Sequence, residues 1–390
     1  MNIILFDGPE RRELLPFTYT RPVAELRIGI LSLREKWEKT LHADTSTKTA
    51  AYLNKKWPMD LAEENLFINP AFLPSEELVS RIDKLQPDEK LVWKGKPIAF
   101  LSRSDKDFDR SERKPIEVET PPLHIAHSWD LFTKNGEAIA RDFDLLTDGR
   151  SSAALNDSVT AINRERIFIE EGARVNGASL NAENGPIYIG KNAEIMEGAH
   201  IRGSLALCDS AVVKMGAKIY GPTTIGPYSK VGGEVNNSVI IGYSNKGHDG
   251  FLGNSVLGEW CNLGADTNNS NLKNNYAEVK LWNYAAERFI KTGQQFCGLM
   301  MGDHSKCGIN TMFNTGTVVG VNANLFGSGF LRNFIPSFTW GGNRKMITYK
   351  PEKAFEVAEI VMKRRNISFT EEDRAILEHL FEITQKYRRG

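Results

Sequence analysis

From Ile189 onward an aliphatic residue returns at every sixth position: Ile189, Ile195, Ile201, Leu207, Val213, Ile219, Ile225 and Val231. Four residues after each stands a mostly small one: Ala193, Ala199, Leu205, Ala211, Ala217, Thr223, Ser229 and Val235. Neither the 3.6-residue turn of a helix nor the two-residue alternation of a strand produces such a run. The period resumes at Phe251, Leu257 and Leu263, and again at Met301, Cys307, Phe313, Val319 and Leu325. A period of six belongs to a solenoid in which each hexad is one short strand and one tight turn. Three hexads close a triangular coil, and stacked coils pair as parallel strands about 4.8 Å apart. The aliphatic residue then fills the prism interior and the small residue fits beside it near a corner. Glycines such as Gly198 and Gly216 suit turns that need permissive backbone angles.

These hexads resemble the hexapeptide-repeat, left-handed β-helix family. The left-handed sense is implied by the resemblance and not by the period. Two interruptions, at 237–250 and at 269–300, predict loops that leave the prism. Downstream, 351–390 has helical apolar spacing at Phe355, Ala358, Val361 and Met362, then at Ile376, Leu377, Leu380 and Phe381. Ser368 with Glu371 reads as the capping box of the second helix. Upstream, strand-like and helix-like segments alternate: strands at Asn2–Phe6, Asn65–Ile68 and 90–101, helices at 24–41 and 75–85, as in an α/β layer structure. The stretch 151–158 reads as a linker. The expected organisation is therefore an α/β, Rossmann-like domain at 1–150, a β-helix at 151–350 and a short helical segment at 351–390.

Composition removes several classes of partner. With 49 basic and 49 acidic residues among 390, the chain has no net charge to attract nucleic acid or an anionic membrane. No apolar run reaches the roughly 18 residues of a membrane helix, and the opening MNIILFDGPE lacks the form of a signal peptide. The four cysteines, at 208, 261, 297 and 307, have no metal-ligand spacing. A cytoplasmic location with reduced thiols is the expectation.

After the first strand come Asp7, Gly8, Arg11, Arg12, Thr18, Arg21 and Pro22. Loops at the carboxyl ends of parallel strands are where α/β sheets bind ligands, and arginines there can grip phosphate by paired hydrogen bonds. The alternative is a loop of arginines closing onto acidic neighbours. ILFDGPERRELLPFTYTRPVAELRIG (4–29) resembles the signature of sugar-phosphate nucleotidyltransferases, and HSWDLFTKNGEAI (127–139) is similar to a segment of related chains. The later glycines of that family's phosphate loop are replaced here by Pro9-Glu10-Arg11-Arg12, and its lysine after Pro22 is Val23. The resemblance implies nucleotide binding at Gly8, Arg11, Arg12 and Arg21, with Mg²⁺ for nucleotidyl transfer. Asp7, Asp107 and Asp109 are candidate carboxylates for that ion, whose ligand stays open.

GHDGFLGNSVLGEWCNLGADTNNSNLK (247–273) is similar to the acetyltransferase half of the bifunctional uridyltransferase/acetyltransferase family that makes UDP-N-acetylglucosamine. The resemblance implies that His248 is the general base and that the Ala265 backbone N–H faces the oxyanion. Asn262 and Asn271 would line the sugar pocket, and Lys246 and Lys273 are candidate substrate ligands. The family's tyrosine three residues after the histidine is Phe251. An amino sugar must lose an ammonium proton before it attacks a thioester, and an imidazole suits that step. A turn histidine held by Asp249 is the structural alternative. The expected reaction is acetyl transfer from acetyl-CoA to glucosamine 1-phosphate and/or nucleotidyl transfer giving UDP-N-acetylglucosamine. Two rivals are a hexose-1-phosphate nucleotidyltransferase whose β-helix only assembles the oligomer, and a scaffold whose sites have decayed. Small sugar phosphates and nucleotides are the expected partners, with a homotrimer as the assembly.

Overall fold

The computed structural model describes residues 1–103 and 113–388. Asp107 and Asp109 lie outside the described residues. The chain divides into two compact units. One comprises Met1–Leu14, Thr18–Leu26 and Leu31–His127, and the other comprises Leu15–Phe17, Arg27–Ile30 and Ser128–Gly390.

The first unit is built on a mixed sheet in the order Thr45–Lys48, Asn2–Phe6, Asn65–Ile68, Lys96–Ser102, Glu89–Trp93, Lys114–Glu117. Asn2–Phe6 is parallel to both of its neighbours, whereas Lys96–Ser102 is antiparallel to both of its own. The expected 90–101 strand is a hairpin, turning at Lys94 (φ 50°) and Gly95 (φ 74°). Two successive positive φ angles match the twist of a two-residue hairpin turn. One face of the sheet buries Ile3, Leu5, Leu66, Ile68 and Ile98 against Trp37, Leu78 and Ile82. The helix expected at 24–41 is shorter, Leu33–Leu41. The Ser32 side chain accepts from the Glu35 amide while Glu35 caps the Ser32 amide, and this box sets the start.

The second unit contains the left-handed parallel β-helix. Its three faces hold six, nine and ten strands. The six-stranded face runs from Thr160–Ile162 to Phe251–Gly253, and the nine-stranded face from Ile167–Ile169 to Phe334–Ile335. The ten-stranded face runs from Arg174–Val175 to Thr339–Gly341 and closes with the antiparallel Met346–Thr348. All eight aliphatic hexad residues from Ile189 to Val231 point inward and are at most 2% exposed. Residues 151–158 begin on the first coil and do not hang free: Ala153 N–H donates to the Ile169 carbonyl at 2.9 Å, and Ile169 N–H to Ser152 Oγ at 2.9 Å.

The corner between the nine- and ten-stranded faces carries one left-handed residue per coil: Asn192, Ser210, Tyr228, Tyr243, Trp260, His304, Asn322 and Phe338, with φ between 53° and 62°. Such a conformation costs a non-glycine residue roughly 1–2 kcal/mol. Stacking of the rings between coils offsets part of it: Tyr228 on Tyr243 at 5.3 Å and Tyr243 on Trp260 at 4.4 Å.

The two interruptions of the repeat behave differently. Residues 237–250 do not leave the prism. They continue as Val239–Gly242, Asn245–Lys246 and Phe251–Gly253, one strand on each face. The coil is merely shortened, so Leu252 pairs with Val235 and is buried, whereas Phe251, the expected interior residue, faces outward and is half-buried. Beyond Asn269 the chain does leave, carrying the hairpin Lys280–Asn283 and Arg288–Lys291, and it rejoins at Leu299–Met301. The C-terminal helices are Pro351–Lys363 and Glu371–Ile383. The second is capped by Thr370 with Asp373, two residues after the expected Ser368 box. Among the described residues no helix is long and apolar enough to cross a membrane.

Candidate functional site

In the first unit the candidate loop follows Asn2–Phe6. Gly8 leaves no room for a side chain, since a Cβ there would lie 2.4 Å from both Asn69 Nδ2 and Glu10 Oε2. Glu10 opens a single helical turn, Glu10–Glu13, and is 1% exposed. Its carboxyl meets His124 Nε2 at 2.9 Å and Asn69 Nδ2 at 3.0 Å. Burial pushes this carboxyl up, but hydrogen bonds from His124 and Asn69 outweigh it and hold the group below its ordinary value. Arg11 is turned onto its own fold: Nε lies 3.1 Å from Asp7, and Nη2 donates to the Thr18 carbonyl at 3.0 Å and to Tyr52 Oη at 2.6 Å. Arg12 is exposed and Arg21 is buried. Glu10, His124, Asn69 and Tyr52 escaped sequence reasoning, because no spacing ties residues so far apart.

Asp7 tests whether a magnesium ion fits here. Its Oδ1 accepts the Val23 N–H at 2.8 Å, and its Oδ2 takes the Thr49 hydroxyl and the Arg11 guanidinium. Burial raises its pKa, which disfavours the charged form a metal requires. Asp7 therefore does not fit the ion. Among the described residues no group of three or more His, Cys, Asp or Glu side chains could hold a metal.

In the second unit the candidate site lies at the corner between the ten- and six-stranded faces. Asn245, Asn262 and Lys306 are in register on the ten-stranded face, so His248, Ala265 and Ile309, each three residues on, follow the same strand position on three successive coils. The backbone ladder differs between the two steps: Asn310 N–H donates to the Ala265 carbonyl at 2.8 Å, whereas Asp266 N–H reaches the Asp249 carbonyl at 3.0 Å. His248 is exposed, between Gly247 and Gly250. Ala265 is half-buried, and its own N–H meets no acceptor among the described residues.

The other candidate residues are not all gathered at this corner. Asn262 is exposed on the ten-stranded face, in register with Asn245 and Lys306. Asn271 donates to Asn254 Oδ1 at 2.8 Å, at the corner between the six- and nine-stranded faces. Lys273 donates to the Glu278 carbonyl at 2.8 Å within the protruding segment. Lys246 is not on the surface. It follows Val231 in an interior column, is 2% exposed, and donates from Nζ to the His248 carbonyl at 2.6 Å. Burial pushes its ammonium down to about 8, against the nearby carboxylates of Asp249 and Asp266.

Two cavities of this unit lie at its C-terminal end. One, of about 440 Å³, is lined by Phe326, Trp340, Ile347, Arg344 and Lys345 and sits at the foot of the His248–Ala265–Ile309 column. Another, of about 560 Å³, opens between Trp282, Phe334, Arg332 and Tyr387. The four cysteines are buried and unbridged.

Residues 3–151 match the family model of a sugar nucleotidyl transferase. Over 386 residues the chain is 29% identical to the bifunctional sugar-1-phosphate nucleotidylyltransferase/acetyltransferase of Sulfurisphaera tokodaii, with 84% of this chain and 96% of that protein covered. Over 120 residues it is 31% identical to the bifunctional protein GlmU of Methanocaldococcus jannaschii, with 31% of this chain and 29% of that protein covered. Among solved structures it is similar to the UDP-N-acetylglucosamine acyltransferase of Francisella novicida, at 14% identity and a TM-score of 0.27, covering 61% of this chain and 78% of that one.

Proposed function

We propose, on the premise that the chain is a divergent GlmU-like protein, that it is a cytoplasmic transferase of sugar-nucleotide synthesis whose β-helix transfers an acetyl group at the His248–Ala265 corner. The domain division that goes with this reading is 1–150 for nucleotidyl transfer, 151–350 for acetyl transfer and 351–390 as a helical segment. The observation that carries it is an exposed imidazole with, one coil away, a backbone N–H that meets no acceptor among the described residues.

The chemistry follows from that pairing. His248 takes the proton from the ammonium of an amino-sugar 1-phosphate, freeing the lone pair that attacks the thioester carbonyl. The carbonyl oxygen becomes an oxyanion, and the Ala265 N–H donates to it, a contribution of about 3 kcal/mol in comparable sites. Attack leaves the nitrogen positively charged; as the intermediate collapses the nitrogen gives up its second proton, the departing thiolate takes that proton, and the imidazolium returns the first to solvent. Asn262, three residues before Ala265, holds sugar hydroxyls. An extended acyl donor fits along the corner: three coil steps of about 4.8 Å separate His248 from Phe326. The cavity at the foot offers the Trp340 and Phe326 rings, with Arg344 and Lys345 for phosphates. Acetyl-CoA has that form.

For the first unit the support is the family match over 3–151 and the tight Gly8 loop. Uridylyl transfer to the acetylated sugar 1-phosphate is the reaction we assign to it.

The test is a mass-spectrometric assay of glucosamine 1-phosphate with acetyl-CoA and, separately, of the acetylated product with each nucleoside triphosphate. His248→Ala should lower acetyl transfer by about 10²–10⁴-fold with the unfolding midpoint nearly unchanged. Full acetyl transfer by His248→Ala rejects the mechanism. No product from any amino-sugar 1-phosphate leaves the β-helix as an assembly element.

A further inference from the structure

The interior column of the ten-stranded face reads Val175, Ile195, Val213, Val231, Lys246, Leu263, Cys307, Leu325. One residue in it is charged. Nothing in filling a prism asks for lysine, since a methionine has nearly the same length and would cost no desolvation. Among the described residues the ammonium makes one hydrogen bond, to the His248 carbonyl at 2.6 Å. Asp249 on the same turn and Asp266 on the next coil are the carboxylates that face it, and both are exposed. A Cβ added at Gly233 on the preceding coil would lie 2.9 Å from the ammonium, so the nitrogen is pressed against the corner backbone.

The turn it reaches is loose by composition. Gly247 has open space around it and Gly250 adopts φ +117°, so two of the four residues from 247 to 250 bring no side chain to hold the backbone. A carbonyl anchored from inside the prism fixes what the glycines leave free.

We propose that Lys246 is a positioning residue for acetyl transfer, its ammonium anchoring the His248 carbonyl so that the imidazole is held over the Ala265 N–H. This rests on the reading of His248 as the base. The lysine itself touches no substrate; it acts through the backbone of the turn that carries the base.

The experiment compares Lys246→Met, which fills the column without a donor, with Lys246→Gln, which keeps a donor without charge. Lys246→Met should fold, with an unfolding midpoint equal to or above that of the unmutated protein. Its kcat for acetyl transfer should fall at least tenfold while KM for both substrates stays within about twofold. Amide exchange at 247–250 should quicken by a similar factor, and Lys246→Gln should recover part of kcat. Full kcat in Lys246→Met overturns the proposal, and so does failure of that variant to fold, because the column would then need the charge for its own sake. His248→Ala, assayed alongside, separates the two claims. If it is inactive and Lys246→Met is fully active, only the positioning role fails. If His248→Ala is fully active, the base reading fails and the positioning role with it.

Discussion

Lys246 and Lys306 both carry ammonium groups that burial pushes down to about 8 from an ordinary 10.5. Each donates to the carbonyl of a histidine two residues away in sequence, Lys246 to His248 and Lys306 to His304. The sign of the linkage is definite. Between about pH 8 and 10.5 the unfolded chain holds protons that the folded chain has released, so stability rises with pH across that window. For the buried Lys246 the rise is on the order of 3 kcal/mol. We expect Lys246→Met to lose its share of that rise, leaving a flatter stability–pH curve above pH 8 in denaturant titrations. A variant curve parallel to that of the unmutated protein would show that the lysine does not titrate there. The sequence marked Lys246 through its place beside Gly-His-Asp-Gly, but not its direction. That depended on the coil register, which the shortened turn before Val235 had shifted. Arg11 was marked through its phosphate-like loop, and the structure turns it onto Asp7 and Tyr52, partners whose proximity no local pattern encodes.

At the level of elements, the hexads were legible because one face of every strand must be apolar and small residues must recur at corners, a periodicity no other fold requires. What escaped was the ending of one face. Phe251–Gly253 is the last strand of the six-stranded face, and the chain departs soon after the next coil reaches it. Two asparagine side chains complete the ladder instead. Phe251 N–H donates to Asn268 Oδ1 at 2.8 Å, and Gly253 N–H to Asn269 Oδ1 at 2.9 Å, while Asn269 Nδ2 returns a bond to the Gly253 carbonyl at 3.1 Å. Asn269 is 4% exposed, so removing its amide strands the Gly253 N–H, while the Gly253 carbonyl keeps the Ser255 hydroxyl at 2.7 Å. Asn269→Ala should therefore cost about 2 kcal/mol or more, read from urea unfolding, whereas Asn274→Ala in the exposed part of the insertion should change little. Equal effects from the two would mean that the edge is held by the Asn268–Asn269 backbone alone. The helix boundaries show a similar limit. Ser368 and Thr370 both precede an acidic residue by three, and only geometry selects the Thr370–Asp373 box.

At the scale of the whole molecule, the arrangement within one chain leaves the acetyl-transfer corner open. His248 is exposed, Ala265 is half-buried, and Asn271 lies at a different corner of the prism. If Asn271 lines the same sugar pocket as His248, it must come from another copy of the chain. The surface beside the corner suits such a neighbour: Ile309 is 69% exposed and Phe330 is 53% exposed, with Met312 and Phe326 also at the surface. Exposed apolar side chains grouped in this way mark an interaction surface, and three equivalent prisms related by a threefold axis close a symmetric assembly. We therefore expect a trimer by light scattering at micromolar concentration. Ile309→Lys places a charge in that patch without touching the prism interior, so it should yield a folded monomer by light scattering and circular dichroism. That monomer should have lost acetyl transfer by a hundredfold or so while keeping any nucleotidyl transfer of the first unit. Mixing it with an excess of His248→Ala chains that retain Ile309 should restore part of the rate if mixed trimers form, because an intact His248 would then meet Asn271 from a neighbour. An unmutated protein that is monomeric and fully active in acetyl transfer would defeat the shared-site reading, and the pocket would have to be built from the residues of one chain alone.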